Sequence, residues 1–149
     1  MTPRSRRWIP MAFVASVLPL AAGCSRHDSQ AAHAEHPATI EKIEGSELSR
    51  VTLTEKAAQR IDAKTTPVRE QDVDGTLRKV VPYSSLIYDA KGRTWVYTSP
   101  QPRTLVRQQV EIDRIEGDSV FLLDGPVAGT EVASMGVTEI YGAETWVGH

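Results

Sequence analysis

One stretch, Val80–Ser99, constrains the fold more than any other part of the chain. It contains two β-rich runs, Ser85–Tyr88 and Arg93–Thr98, joined by the four residues Asp89–Gly92. Aspartate at the first position and glycine at the last are typical of a type I turn, so the stretch predicts a β-hairpin. Pro82 has no N–H to donate to a sheet, and the strand before it is therefore expected to end there.

The other apolar runs of the domain are short and predict mostly strands. Thr54–Ile61 is expected to form a short helix, with Thr54 as its N-cap and Ile61 docked on the sheet. The predicted strands outside the hairpin are Leu48–Leu53, Lys64–Val68, Thr76–Val81, Thr104–Ile115, Val120–Leu123 and Glu131–Met135. We therefore expect an all-β fold, a small antiparallel β-barrel or sandwich of about seven short strands with one short helix.

Four segments interrupt this regular pattern. Pro100–Pro102 is expected to form a loop, because two prolines prevent regular strand pairing. Glu70–Gly75 is polar and is expected to end a strand in a turn. In Thr104–Ile115 the apolar side chains change parity partway along, which indicates a β-bulge or a strong twist. Thr138–Glu144 is expected to form one helical turn.

Residues 1–23 have the pattern of a secretory signal peptide, with arginines before an apolar core and small residues after it. Cys24 follows, and because it is the one cysteine of the chain an internal disulfide is excluded. The stretch Leu20–Cys24 resembles the lipobox of bacterial lipoproteins, in which the thiol carries a diacylglycerol. The resemblance implies lipidation of Cys24 and an extracytoplasmic location, on the periplasmic side of the cell membrane. The alternative is an ordinary signal peptide followed by an incidental cysteine.

Residues 24–46 are polar and without apolar periodicity, so we expect a lipidated flexible tether leading to a β domain over residues 47–149. Three histidines of this tether, His27, His33 and His36, are weak candidate metal ligands, because imidazole binds transition metals. An unstructured segment must first be ordered before it binds a metal tightly. Two interpretations stay open, a simple tether and a metal-collecting tail.

Composition and motifs exclude several function classes. The formal net charge is -2 and the basic residues are not clustered in the domain, so we expect no nucleic-acid partner. Nucleophile–base motifs, phosphate-binding loops and paired metal motifs are missing from the sequence, so we expect neither enzymatic activity nor a cofactor. Asp72 and Asp74 form a solvated turn more readily than they share a cation.

Three aromatic residues of the predicted hairpin are candidates for contact with a partner. Tyr88, Trp95 and Tyr97 belong to types that are enriched at the energetic centres of protein interfaces. The same types more often fill the core of a small β domain. The sequence therefore leaves two interpretations, an exposed interaction surface and a buried side of the hairpin.

Short motifs follow one another in a fixed order along the domain. They combine a Val-Pro corner, turn glycines and spaced β-branched residues. They are Val51–Val68, Val81–Leu86, Gly92, Thr94–Tyr97, Val110, Ile112, Gly117, Asp118, Val120, Asp124, Gly125, Gly129, Glu131, Val132, Met135, Gly136–Glu144 and Val147–His149. In this order they resemble the periplasmic adaptor subunits, or membrane fusion proteins, of efflux pumps of the resistance-nodulation-division (RND) type, although Ser85 stands where alanine is usual.

The resemblance implies one domain of such an adaptor. Between the two motif groups a full adaptor has a β-barrel, a lipoyl-like domain and a long helical hairpin, whereas here only Glu70–Gly75 joins them. The implied protein is the membrane-proximal domain alone, a lipid-anchored, non-enzymatic module that associates with a membrane transport complex such as an RND transporter subunit. A metal-handling lipoprotein and an adaptor remnant without a partner are the alternatives. Ser25 favours sorting to an outer membrane, against the inner-membrane location of most adaptors.

Overall fold

The computed structural model describes residues 36–146 of the chain. Within them lie eleven β-strands and two α-helices. The strands are β1 (Ala38–Lys42), β2 (Ser49–Leu53), β3 (Lys64–Pro67), β4 (Arg69–Val73), β5 (Thr76–Pro82), β6 (Ile87–Tyr88), β7 (Thr94–Gln101), β8 (Thr104–Gln109), β9 (Glu111–Glu116), β10 (Ser119–Asp124) and β11 (Glu131–Met135). The helices are α1 (Glu55–Arg60) and α2 (Val137–Trp146), and a short 3-10 helix spans Tyr83–Ser85.

The strands form two open antiparallel sheets. The seven-stranded sheet has the order β1-β2-β8-β7-β11-β3, with β6 added beside β7. The four-stranded sheet has the order β4-β5-β10-β9. The predicted all-β class is confirmed in a sandwich-like form, and the domain has more strands than the sequence indicated.

The predicted hairpin around Asp89 is present, with β6 and β7 as its strands. The N–H of Gly92, a residue with a φ of +76°, donates to the carbonyl oxygen of Asp89 at 2.9 Å. The Asp89 carboxylate also accepts from the backbone N–H groups of Lys91 and Arg93, each at 2.9 Å. Strand β5 ends at Pro82, as the missing N–H of proline requires.

Helix α1 begins as the sequence predicts. The Thr54 side chain accepts a hydrogen bond from the backbone N–H of Ala57 at 3.1 Å, which is the expected N-cap. Ile61, directly after the helix, packs against buried residues of the seven-stranded sheet. Because two turns of helix are marginal in water, this docking stabilises α1.

The run Thr104–Ile115 is divided between the two sheets and does not form one bulged strand. The division falls at Val110, between β8 in the seven-stranded sheet and β9 in the four-stranded sheet. The N–H of Val110 donates to the carbonyl oxygen of Thr94 at 3.0 Å. Leu105 belongs to one buried cluster of the domain and Ile112 packs against the other. The parity change in the sequence therefore marks the point at which the chain passes between sheets.

Two segments expected to be irregular are strands. Strand β4 covers most of the predicted Glu70–Gly75 turn, and the turn itself is confined to Asp74 and Gly75, both at positive φ. Strand β7 continues through Pro100 to Gln101, and its pairing with β8 shifts register after Thr98. The shift leaves room for a proline at a position that donates no ladder hydrogen bond.

Both ends of the described domain contain more structure than expected. Strand β1 lies within residues 24–46, the predicted tether, and pairs with β2 from Ala38 opposite Leu53 to Lys42 opposite Ser49. Ala38 and Ile40 alternate with polar residues in β1, and this short period-2 signal is the one that sequence reasoning missed. Helix α2 has ten residues where one turn was expected. The folded part therefore begins before residue 47.

Two buried clusters lie on opposite faces of the seven-stranded sheet, and β7 contributes to both. The helix-side cluster contains Val51, Leu53, Ile87, Trp95, Tyr97, Leu105, Ala133, Val137 and Ile140. The inter-sheet cluster contains Val68, Val81, Val96, Val110, Val120, Leu122 and Val132. Because side chains alternate along a strand, the helices cover one face of this sheet and the four-stranded sheet covers the other.

Candidate interaction surface

Three residues predicted for lipidation or metal binding, Cys24, His27 and His33, lie outside the described residues. The remaining candidate, His36, is exposed at the start of the described part. Within residues 36–146 there is no group of three or more His, Cys, Asp or Glu side chains placed to hold a metal ion. The lipidation of Cys24 and the metal-collecting tail both stay predictions.

The predicted aromatic interaction surface is wrong for two of its three residues. Trp95 is 4% exposed and Tyr97 is fully buried, both in the helix-side cluster, whereas Tyr88 is 50% exposed. The physical reason is that Tyr97 lies under helix α2, where it donates to Glu144, while Arg93 and Arg107 cover the Trp95 ring. The sequence showed that the two residues share a face but not which groups cover it.

Charged groups fix the position of the Trp95 ring. Its Nε1 donates to Asp89 Oδ2 at 3.1 Å. The guanidinium groups of Arg93 and Arg107 each lie 4.9 Å from the ring centroid. A cation is attracted to the face of an indole ring, so Trp95 is a core residue that also orients two arginines.

A chain of ion pairs connects the hairpin turn to the β1–β2 connection. Arg93 donates to Asp89 Oδ2 through Nε and to Glu47 Oε1 through Nη1, both at 2.7 Å. Burial by itself raises the pKa of Asp89, but hydrogen bonds from Arg93 and Trp95 outweigh it and lower the pKa to about 2. The hydrogen bond from Arg93 also lowers the pKa of Glu47. Both carboxylates are therefore ionised at neutral pH and hold the turn against its neighbour.

The most buried ion pair joins helix α2 to the seven-stranded sheet. Arg107 Nε lies 2.8 Å from Glu144 Oε2, and the two side chains are 11% and 3% exposed. The Tyr97 hydroxyl donates to the same oxygen, and the backbone N–H of Ser49 donates to Oε1 at 3.4 Å. Burial, and then the hydrogen bond to Glu144, raise the pKa of Tyr97, so its hydroxyl stays a neutral donor.

These groups contact one another inside the domain, and through them Glu144 connects helix α2 to the sheet. Removing one member of a buried ion pair leaves an uncompensated charge, so Glu144 holds the last turn of α2 firmly on the sheet. Arg107 and Glu144 are far apart in sequence and give no local pattern, which is why sequence reasoning missed them.

The residue next to this anchored turn is the most exposed large apolar side chain in the described part of the chain. Trp146 is 83% exposed. With Gly142, Ala143 and the first described residues it lines an open groove of about 590 Å³, here named the Trp146 groove. Within the described part of the chain, its lining residues are His36, Pro37, Ala38, Gly142, Ala143 and Trp146.

The helix geometry explains why a buried glutamate and an exposed tryptophan can be close neighbours. Residues two apart on an α-helix are separated by a rotation of roughly 200° about its axis, so they point to nearly opposite sides. Glu144 therefore points at the sheet while Trp146 points away from it. Gly142 has no side chain and Ala143 has only a methyl group, so the helix surface beside Trp146 is apolar and carries no bulky group.

The Trp146 groove is suited to contact with an apolar surface. Among the described residues that line it, His36 is the one titratable residue. Sequence reasoning missed Trp146 because the predicted helical turn stopped at Glu144; a lone tryptophan following a polar segment was the available signal.

Among residues 36–146, none of the helices has the length and apolar character needed to cross a membrane. Comparison with protein-family models, with curated proteins and with solved structures gives no match to this chain.

Proposed function

We propose that this protein is a lipid-anchored, non-enzymatic, adaptor-like module that associates with a membrane transport complex. In this proposal acyl chains on Cys24 hold the domain at the outer face of the cytoplasmic membrane. The folded domain then acts by the proteins it contacts.

The observation that supports this proposal is the structural position of the adaptor-like motifs. Four of the motif glycines, Gly92, Gly117, Gly129 and Gly136, have positive φ, between +57° and +84°, whereas Gly125 does not. Pro82, the proline of the Val-Pro corner, ends β5 and is followed by the 3-10 helix. These motif residues, which resemble those of adaptors, therefore lie at turns of the sandwich, where a side chain or an N–H group is disfavoured.

The ion pairs of the helix-side cluster are consistent with a contact role. Glu144, Arg107 and Tyr97 bind one another within the chain and fix the fold. These contacts hold helix α2 on the sheet, so the domain offers a preformed surface to a partner.

The proposal is tested by cross-linking in intact cells that make the full-length protein with a C-terminal affinity tag. We expect the tagged protein in the membrane fraction, with a transporter subunit recovered in the cross-linked product. The matched control is Cys24→Ser, which removes the lipidation site and leaves the domain unchanged. We expect this variant to lose both the acyl modification and most of the cross-linked partner. Recovery of the lipoprotein alone, from the unmodified chain, would contradict the association with a transport complex.

A further inference from the structure

The Trp146 groove is an apolar surface at the place where the predicted tether joins the folded domain. His36, Pro37 and Ala38 form one side of it, and they are the first residues that the structure describes. The end of α2 forms the other side, with Trp146 83% exposed. Any chain segment that leads to His36 therefore arrives beside this groove.

The distance from the groove to the anchor is limited by the chain itself. Cys24 precedes His36 by twelve residues, which span at most about 43 Å when fully extended. This step rests on the proposed lipidation of Cys24. If acyl chains on Cys24 lie in a bilayer, the groove stays within that distance of the membrane surface.

The segment between anchor and groove does not match the groove chemically. Residues 25–35 read Ser-Arg-His-Asp-Ser-Gln-Ala-Ala-His-Ala-Glu, with no apolar side chain larger than alanine. An open apolar groove with a volume of about 590 Å³ is poorly filled by such residues. A bilayer supplies apolar groups at the distance that the chain allows.

Helix α2 holds the backbone of Trp146 at a defined place on the domain. Ile140 is 1% exposed and Glu144 is paired with Arg107 and Tyr97, so the helix is attached to the sheet up to its last turn. Trp146 lies two residues beyond this attachment. The backbone that carries Trp146 is therefore ordered before any contact forms, which lowers the entropy cost of binding.

We propose that the Trp146 groove rests on the membrane that anchors the protein, with the Trp146 indole in the headgroup region. Tryptophan is enriched at this depth because its ring is amphipathic. The contact is a second, weaker attachment beside the acyl anchor, and it orients the domain so that the α2 end and the start of β1 face the lipid. The four-stranded sheet is left free for a protein partner.

The first measurement decides whether the anchor exists. The full chain is expressed in cells and purified from their membranes, and the mass of the peptide containing Cys24 is determined. A peptide beginning at Cys24 and carrying acyl chains is expected. An unmodified cysteine would contradict the proposed function, and the membrane contact with it.

The second measurement tests the groove alone. The chain has three tryptophans; Trp8 lies in the predicted signal peptide and Trp95 is 4% exposed, so Trp146 is the one expected to respond to lipid. The purified lipoprotein is placed in vesicles of phosphatidylethanolamine and phosphatidylglycerol with bromines on the upper acyl chains. An interfacial residue lies about 5–10 Å deep, within reach of these bromines, so we expect the Trp146 emission to fall about twofold.

Three variants distinguish quenching of Trp146 by lipid from effects on the rest of the protein. Trp146→Phe is expected to abolish the lipid-dependent loss of emission and to leave the Trp95 signal, which shows that the domain is folded. Ala143→Glu places a carboxylate in the groove and is expected to reduce quenching by lipid. Thr138→Glu adds the same charge to an exposed position at the other end of α2 and is expected to leave quenching unchanged.

Three results would overturn the inference while leaving the lipid anchor intact. The first is emission unchanged by brominated lipid together with full quenching by aqueous iodide, which would mean that Trp146 faces water. The second is protection from iodide only when other membrane proteins are present, which would mean a protein occupant. The third is equal quenching for Ala143→Glu and Thr138→Glu, which would mean that the groove is not the contact.

Discussion

The two ends of helix α2 differ in how deeply their side chains are buried. At the start, Val137 is 6% exposed and Ile140 is 1% exposed, and Gly136 before them lies against Ile61. At the end, Trp146 is 83% exposed. The ten-residue helix therefore has a docked end at Val137 and a displayed end at Trp146, and Glu144 is its last attachment to the sheet. Burial can therefore change from one turn to the next within a single helix of this domain.

Removing the last attachment should have the largest effect. Glu144→Gln keeps the side-chain shape but removes the charge that faces Arg107, and both groups are nearly buried. We expect a loss of about 3–5 kcal/mol in the free energy of unfolding. Urea denaturation followed by Trp95 fluorescence measures it. The control is Glu139→Gln on the exposed side of the same helix, and a loss for Glu144→Gln that is no larger than for this control would show that the ion pair is not needed.

The docked end can be disrupted at its first turn. Gly136 has a φ of +73°, and a Cβ there would lie 2.9 Å from Ile61 Cδ1 and 3.1 Å from the Ile61 carbonyl oxygen. Gly136→Ala adds both backbone strain and overlap, so we expect a destabilisation of about 1–3 kcal/mol. Thermal unfolding monitored by circular dichroism would show it as a lower Tm. An unchanged Tm would mean that α2 shifts to make room.

The displayed end should respond to the same substitution with the opposite sign. A Cβ at Gly142 meets no atom within 4 Å, and its φ is not positive. Gly142→Ala should therefore stabilise the helix by about 0.5–1 kcal/mol, because alanine loses less backbone entropy on folding than glycine. The same unfolding experiment gives the value. A destabilisation would show that this side of α2 is packed against something in solution.

The smallest effect is expected at the tip of the helix. Trp146 is exposed, and Trp146→Ala should change the free energy of unfolding by no more than about 0.5 kcal/mol. Urea denaturation of both proteins in the absence of lipid checks this. A larger loss would mean that Trp146 contributes to the fold, and the contrast between the two ends would disappear.

Local chemistry made part of the fold predictable. The hairpin turn follows from Asp89 and Gly92, whose carboxylate and positive φ act within four residues. The N-cap at Thr54 is equally local. The end of β5 at Pro82 follows from a missing donor. In each case the structural cause lies within the sequence window that predicts the element.

Features that depend on distant partners were not predictable. The passage between sheets at Val110 requires its hydrogen bond to Thr94, in another strand. Helix α2 contains Gly142 and two threonines, which are weak helix formers, and is stabilised by Arg107 through Glu144. The Trp146 groove is formed by the end of this helix and the start of β1. Because the sequence predicted neither β1 nor the full length of α2, it did not predict the groove.

Strand β7 contributes side chains to both buried clusters. Trp95 and Tyr97 support the helix-side cluster and Val96 supports the inter-sheet cluster, so neither cluster can come apart without loosening the strand they share. The domain should then unfold as a single cooperative unit. In native-state hydrogen exchange, the amides at the centre of β7 should be among the last to exchange, at a rate set by global unfolding.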